Sequence, residues 1–557
     1  MEMKSGIEKL FRLALSSLIL AAGSPLASTS AALSATATTT TKATSVKSSK
    51  ILIAPRQPVL PRPEEALSRA QVTDTAAEVW RKETPKMPAP RPFSLPKVVS
   101  YKLANGLEVQ LVEDHRYPFL SANIGFREGS SNEPKDYLGL ASMTADLLTE
   151  GTTTRKSKDI ASEIDFIGGG LGASIDYDYT ILSGSALSPY TGRLFDLMSD
   201  VLLHPSFPED ELNLKKINQI QELTIKRGSP DFLVEERFSK VLFGEHPYSV
   251  VSATEESLNK ITRKEIEAYH KAHYQPNRSV LVVIGDFKEE AMRKLIEEKF
   301  GAQWQATDVA RVVQPQLPKQ IGRRLYLVDR PGSVQTSIKL GNVGVKRSDP
   351  DYFAMLVMNQ ILGGAAHARL FLNIREAKGY TYGAYSRMAA RLQPGTFFAG
   401  ANVRTEVTNP SLQEFLYELD RMRTTKVTDT ELSSAKNYLA GSFQLGLETQ
   451  GGLAQRLLEA KLYDLPNDFL ETYAAKVTAV KIDDVRTAAR KLIDSNNLVV
   501  AVVGDAKKIK DDLELFGPVT VYNAQGKLTS IPSATNATLN EPRVDTPSPQ
   551  QPNKSIN

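Results

Sequence analysis

The chain has 557 residues, 41% of them hydrophobic and 24% charged, with a formal net charge of +4 and no cysteine. That length suits two or three globular domains. The small charge gives no reason to invoke nucleic acid or an anionic membrane surface, and the missing thiols exclude disulfides, thiolate zinc sites and a cysteine nucleophile.

The first predicted element is an export signal. "MEMKSGIEKLFR" is weakly basic, "LALSSLILAA" at 13–22 is an apolar run of ten, and "GSPLASTSAALSATA" offers small-residue cleavage sites. The run is too short to span a bilayer, and two early glutamates argue against a mitochondrial transit peptide. Residues 1–37 are therefore read as a signal peptide, and no other stretch reads as membrane-inserted. Residues 38–97 read as a linker, rich in Ser, Thr and Ala and then in Pro. Within it "PEEALSRAQVTDTAAEVWRKE" predicts a short helix with Trp80 docked on a neighbour. The tail 521–557 is polar and Pro-rich and reads as disordered.

Between these flanks the chain is duplicated. "SVLVVIGDF" reaches Asp286 and "LVVAVVGDA" reaches Asp505, 219 positions on. Helices are predicted to begin near Asp136 and Asp351, 215 apart, and Glu211 matches Glu431 at 220. Order and spacing persist, so 98–305 and 323–520 are read as two copies of one domain, joined by a linker at 306–322. Each copy opens on alternating strands, "GLEVQLVED" and "RRLYLVDRP", continues through amphipathic helices and closes on a fully apolar strand. The fold class is α+β: two repeats, each a largely antiparallel sheet with helices packed on one face. "GLASMTADLLTEG" reads as a helix that ends at Gly151, and Gly363 and Gly364 as a turn.

These pieces together resemble the pitrilysin/insulinase family of zinc metallopeptidases, which includes mitochondrial processing peptidase. The resemblance rests on "LANGLEVQLVEDH", "GSSNEPKDYLGLA", "TEGTTTRKS", "FGEHPYS", "YQPNRSVLVVIGDF" and "LFLNIREAKGYTYGAYS". Active members carry H-x-x-E-H on the first of the helices above. Two histidines at i and i+4 grip one zinc ion, the adjacent glutamate is the general base, and a later glutamate is the third ligand. Here the resemblance puts Ser142 and Asp146 at the histidine positions, Ala145 at the base and Glu222 at the third ligand. That set is a poor zinc site, although a weak Mg²⁺ or Ca²⁺ site at Asp146 and Glu222 stays open. The second repeat has Val357, Gln360 and Ile361 at the matching positions. His246, His270 and His273 are read as packing residues.

The second repeat keeps a different signature. The resemblance makes Arg375 and Tyr382 the substrate-clamping pair, able to donate to a scissile carbonyl and its oxyanion. It also makes Ala173, Ser174 and Ile175 part of an exposed edge strand to which a peptide adds. The expectation is a non-catalytic, substrate-binding subunit of an exported metallopeptidase. A partner of the same fold would bear H-x-x-E-H and the zinc, and this chain would carry no cofactor. The substrate would be an unstructured peptide and the compartment the bacterial periplasm. The alternative is a scaffold of the same fold without a proteolytic role, like the core proteins of the respiratory chain.

Overall fold

The computed structural model describes residues 94–307 and 314–530. The expected signal peptide, the helix expected around Trp80 and the tail beyond 530 lie outside the described residues.

The first repeat runs β1 (Val99–Lys102), β2 (Glu108–Glu113), β3 (Phe119–Phe126), α1 (Leu140–Leu147), α2 (Ser157–Phe166), β4 (Gly170–Ile175) and β5 (Thr180–Leu187). It continues with α3 (Thr191–Leu203), α4 (Glu209–Arg227), α5 (Pro230–Phe243), α6 (Glu255–Lys260), α7 (Arg263–His273), β6 (Ser279–Gly285) and α8 (Glu289–Ile296). The second repeat runs β7 (Arg324–Asp329), β8 (Gln335–Val343), α9 (Tyr352–Gly363), β9 (Thr381–Ala389), β10 (Thr396–Arg404), α10 (Thr408–Thr424) and α11 (Asp429–Gly446). It ends with α12 (Gln450–Leu462), α13 (Phe469–Ala479), α14 (Ile482–Leu492), β11 (Val499–Gly504), α15 (Ala506–Glu514), β12 (Val519–Asn523) and β13 (Leu528–Ser530).

The sheet orders are β1-β2-β6-β3-β5-β4 and β13-β12-β7-β11-β8-β10-β9. Without the extra edge strands the two orders are the same, so the duplication read from spacing is present in the topology. Only β2/β6, β7/β11 and β7/β12 run parallel. The fold is therefore the expected α+β class with largely antiparallel sheets.

The central strands show what holds the repeats together. β6, "SVLVVIG", is buried at every position, as a strand covered on both faces must be. Leu281 and Val283 join the first repeat's core with Leu140 and Met143 of α1. Val280, Val282 and Ile284 join a second core with Leu453, Leu457 and Leu458 of α12. Thus α12, from the second repeat, lies across β6 and β3 of the first. Gly125 of β3 lets it come close: a Cβ there would sit 2.8 Å from Leu458. Arg127 caps the far end of α12, donating to the Lys461 carbonyl at 2.8 Å, a favoured place for a cation. The exchange is reciprocal. α5 of the first repeat covers β11 and β8 of the second, with Leu233, Val234, Phe238 and Leu242 against Val499, Ala501 and Val503. Helices were expected on one face only. Each sheet in fact has its own helices on one face and a helix lent by the other repeat on the second.

Three boundaries differ from expectation. α1 ends at Leu147, short of Gly151, because the chain turns at Thr152–Arg155, where Asp200 accepts bonds from Thr152 at 2.7 Å and Arg155 at 2.6 Å. The left-handed glycine stands at the start of the helix instead, at Gly139 with φ 94°. Gly363 closes α9 rather than forming a turn; a Cβ there would meet the Ser386 nitrogen at 2.3 Å, so it serves the close approach of α9 to β9. Order also continues past 520. β12 pairs with β7 and β13 with β12, because Val519 and Val521 are buried against the sheet edge although polar residues surround them.

Candidate functional site

The helix that would carry the zinc ligands packs between β4, α4 and α7. Glu133 supports its start, accepting the Gly139 N–H at 3.0 Å and the Ala141 N–H at 2.7 Å. Ala145 is buried in the helix packing. Asp146 accepts a hydrogen bond from Gln219 of α4 at 3.3 Å. Burial pushes the Asp146 carboxyl up, with Lys215 and Gln219 opposing and Glu150 and Glu222 reinforcing. Glu222 shares a helix face with Lys215 and Gln219, but its carboxylate turns to Lys226 at 2.8 Å and is largely exposed. Among the described residues, no group of three or more histidine, aspartate or glutamate side chains could hold a metal ion.

The donor set does not fit catalytic zinc. A hydroxyl, a methyl group and two carboxylates, each with a competing partner, replace two imidazoles, a base and a free third ligand. Sequence reasoning missed Gln219, which faces Asp146 across the helix pair; on a polar helix face a glutamine gives no signal. At the corresponding place in the second repeat Val357, Gln360 and Ile361 are buried in the core.

The histidines have structural partners. His270 bonds the Leu202 carbonyl at 2.9 Å and His273 bonds Glu128 at 3.0 Å. The ring of His246 accepts the Tyr248 N–H at 3.1 Å.

β4 closes the first sheet at one edge, so its outer side has no strand neighbour among the described residues. Gly168, with φ +60°, turns the chain into it. Ala173 and Ile175 face the core, and Ser174 is exposed. A peptide added here meets main chain and Ser174, not the two apolar side chains. β9 closes the second sheet in the same way, and Tyr382 near its start is 91% exposed. Arg375 lies on a π-helical segment, Phe371–Ala377, a local widening that recurs at functional sites. Its guanidinium stacks over Phe371 at 4.6 Å and meets Glu376 at 3.4 Å. Among the described residues no hydrogen bond or ion pair joins Arg375 or Tyr382 to α1, α4 or β4. The structure thus places Ser142, Ala145 and Asp146 on α1 against β4 and α4, with the Glu222 carboxylate turned to Lys226, and leaves Arg375 and Tyr382 exposed on the second repeat.

The comparisons with known proteins agree with this architecture. Residues 108–250 match the insulinase family, peptidase family M16, and residues 260–439 match the peptidase M16 inactive domain. The chain belongs to the M16 peptidase family. It is 25% identical over 396 residues to an uncharacterized zinc protease, YmxG, of Bacillus subtilis, covering 70% of this chain and 95% of that protein. It is 22% identical over 432 residues to the probable mitochondrial-processing peptidase subunit beta of Arabidopsis thaliana, covering 75% and 80%. Among solved structures, a peptidase M16 inactive domain from Pseudomonas fluorescens superposes with a TM-score of 0.68 at 26% identity, covering 73% of this chain and 98% of that one. A protease from Helicobacter pylori shares the fold with a TM-score of 0.69 at 21% identity, covering 73% and 100%.

Proposed function

We propose that this chain is the non-catalytic, substrate-binding subunit of an exported two-chain zinc metallopeptidase. One observation carries the reading. α1 keeps its place between β4 and α4 but carries Ser142, Ala145 and Asp146 in place of the zinc motif, while Tyr382 stays exposed and Arg375, though held by Phe371 and Glu376, keeps an exposed guanidinium. A homologous partner bearing H-x-x-E-H holds the zinc. From this chain, Arg375 and Tyr382 donate hydrogen bonds to the scissile carbonyl and to the oxyanion that forms from it. The free edge of β4 takes an extended, unstructured peptide as an added strand. α4 supports the partner: it buries only Leu212 of its 19 residues and leaves Leu214, Ile217 and Ile225 exposed, an apolar stripe suited to a second chain. The basic start and ten-residue apolar run at 13–22 support export to the periplasm, and among the described residues no helix is long and apolar enough to cross a membrane.

The experiment is co-purification of the tagged full chain from its native cells, followed by metal analysis and a peptidase assay on an unstructured peptide. The reading expects an H-x-x-E-H partner, one zinc per pair and chelator-sensitive cleavage by the pair alone. Stoichiometric zinc with chelator-sensitive cleavage in the single chain contradicts it.

A further inference from the structure

Away from these residues, a cavity of about 250 Å³ lies in the helical layer of the second repeat, bounded by α9, α11, α12 and α13. Its walls include Arg347, Tyr352, Phe443, Arg456, Phe469 and Tyr473. None of them belongs to the site described above. Phe443 and Tyr473 stack face to face at 3.7 Å, nearly parallel, and together line one apolar wall.

Arg347 sets the chemistry. Its guanidinium lies 4.0 Å from the Tyr352 ring centroid and 4.8 Å from that of Phe469. Its Nη1 is buried with no hydrogen-bond partner, and among the described residues no carboxylate pairs with it. Arg456, by contrast, is matched by Glu459 at 2.9 Å. Two guanidinium groups and one carboxylate therefore line the cavity, leaving one positive charge unmatched. A buried donor without an acceptor is unfavourable unless a bound group supplies one.

We propose that this cavity is a binding site for a small monocarboxylate with an apolar body. The carboxylate accepts from Arg347, and the body lies along the Phe443–Tyr473 wall, with Leu439 and Leu465 beside it. The volume is below that of pockets for drug-sized ligands and suits a single amino-acid residue. A free apolar acid and the C-terminal residue of a peptide share this chemistry. Because α12 also covers the first repeat's sheet, a ligand here contacts the element that joins the two repeats.

Isothermal titration of the full chain tests it, with 3-phenylpropionate, its neutral amide, N-acetylphenylalanine and N-acetylphenylalanine amide as probes. Each acid is expected to bind saturably and at least about tenfold more tightly than its amide, the size of a charge-assisted bond. Arg347→Gln should remove that preference. Tighter binding of N-acetylphenylalanine than of 3-phenylpropionate assigns the site to peptide ends; the reverse assigns it to free acids. Equal binding of acid and amide, or no saturation by any probe up to about 10 mM, overturns the proposal. The acid–amide comparison in the unaltered chain stands even if Arg347→Gln is unstable.

Discussion

Arg391 pairs with Asp176 across the junction of the two repeats, 215 positions apart in the chain. The same offset separates the helix landmarks Asp136 and Asp351, so the pair joins matching places in the two copies. The Arg391 guanidinium also lies 4.4 Å over the Tyr177 ring, and the next residue, Leu392, donates its N–H to Asp178 at 3.0 Å. The turn after β9 is thereby locked onto the turn after β4. Asp176 is 38% exposed and Arg391 20%, so solvent screens the pair and its coupling should be about 1 kcal/mol. A double-mutant cycle with Arg391→Met and Asp176→Asn should show that coupling in chemical denaturation. Additivity within about 0.3 kcal/mol would mean the pair does not join the repeats energetically.

The exchanged helices make a stronger demand. Without α12 the apolar face of β6, Val280, Val282 and Ile284, has no cover; without α5 the same holds for Val499, Ala501 and Val503 of β11. Residues 98–305 expressed alone should be insoluble or loosely packed, and co-expression with 314–530 should restore a soluble complex. A stable, cooperatively melting first repeat on its own would contradict the packing account.

Glu133 gives stability a pH dependence. Burial raises its pKa to about 7, against the backbone N–H bonds it accepts. A carboxyl whose pKa is higher in the folded chain than in the unfolded one stabilises the fold most below the unfolded value, and that contribution fades as pH rises towards about 7. Wild type should therefore lose stability relative to Glu133→Gln as pH rises from 4.5 to 7 in denaturant titrations. A difference that is constant with pH would show that Glu133 does not titrate in this range.

The position of Gln219 leads to a metal experiment. Ser142→His, Ala145→Glu and Asp146→His rebuild the motif, but Glu222 is engaged with Lys226, while Gln219 faces position 146. The triple variant should bind zinc weakly, and adding Gln219→Glu should tighten binding about tenfold or more, since a third strong ligand completes the set. Zinc analysis after dialysis checks this. Equal affinity with and without Gln219→Glu would show that Glu222 alone serves as the third ligand.

Much of this fold was legible because buried strands announce themselves. β6 and β11 are unbroken apolar runs, and their recurrence revealed the duplication. The lent helices were not legible. The apolar residues of α5 and α12 predict a helix, but nothing in their spacing says that the sheet they cover belongs to the other repeat. β12 and β13 were hidden because an edge strand needs few apolar residues, here Val519 and Val521. At the candidate site the altered motif could be read directly from Ser142, Ala145 and Asp146. Gln219 could not, because a glutamine on a polar helix face reads as solvated.

The central claim is that this chain acts on the transition state in a shared site, and Tyr382 tests it most directly. Tyr382→Phe removes only a hydroxyl from a side chain that is 91% exposed, so folding and assembly should be unchanged. The measurement is kcat of the co-purified pair on an unstructured peptide, wild type against Tyr382→Phe, at equal zinc content. Loss of an oxyanion donor should lower kcat by about a hundred- to a thousandfold. A kcat within about twofold of wild type, under ~0.5 kcal/mol, would contradict the shared site and leave the chain a scaffold.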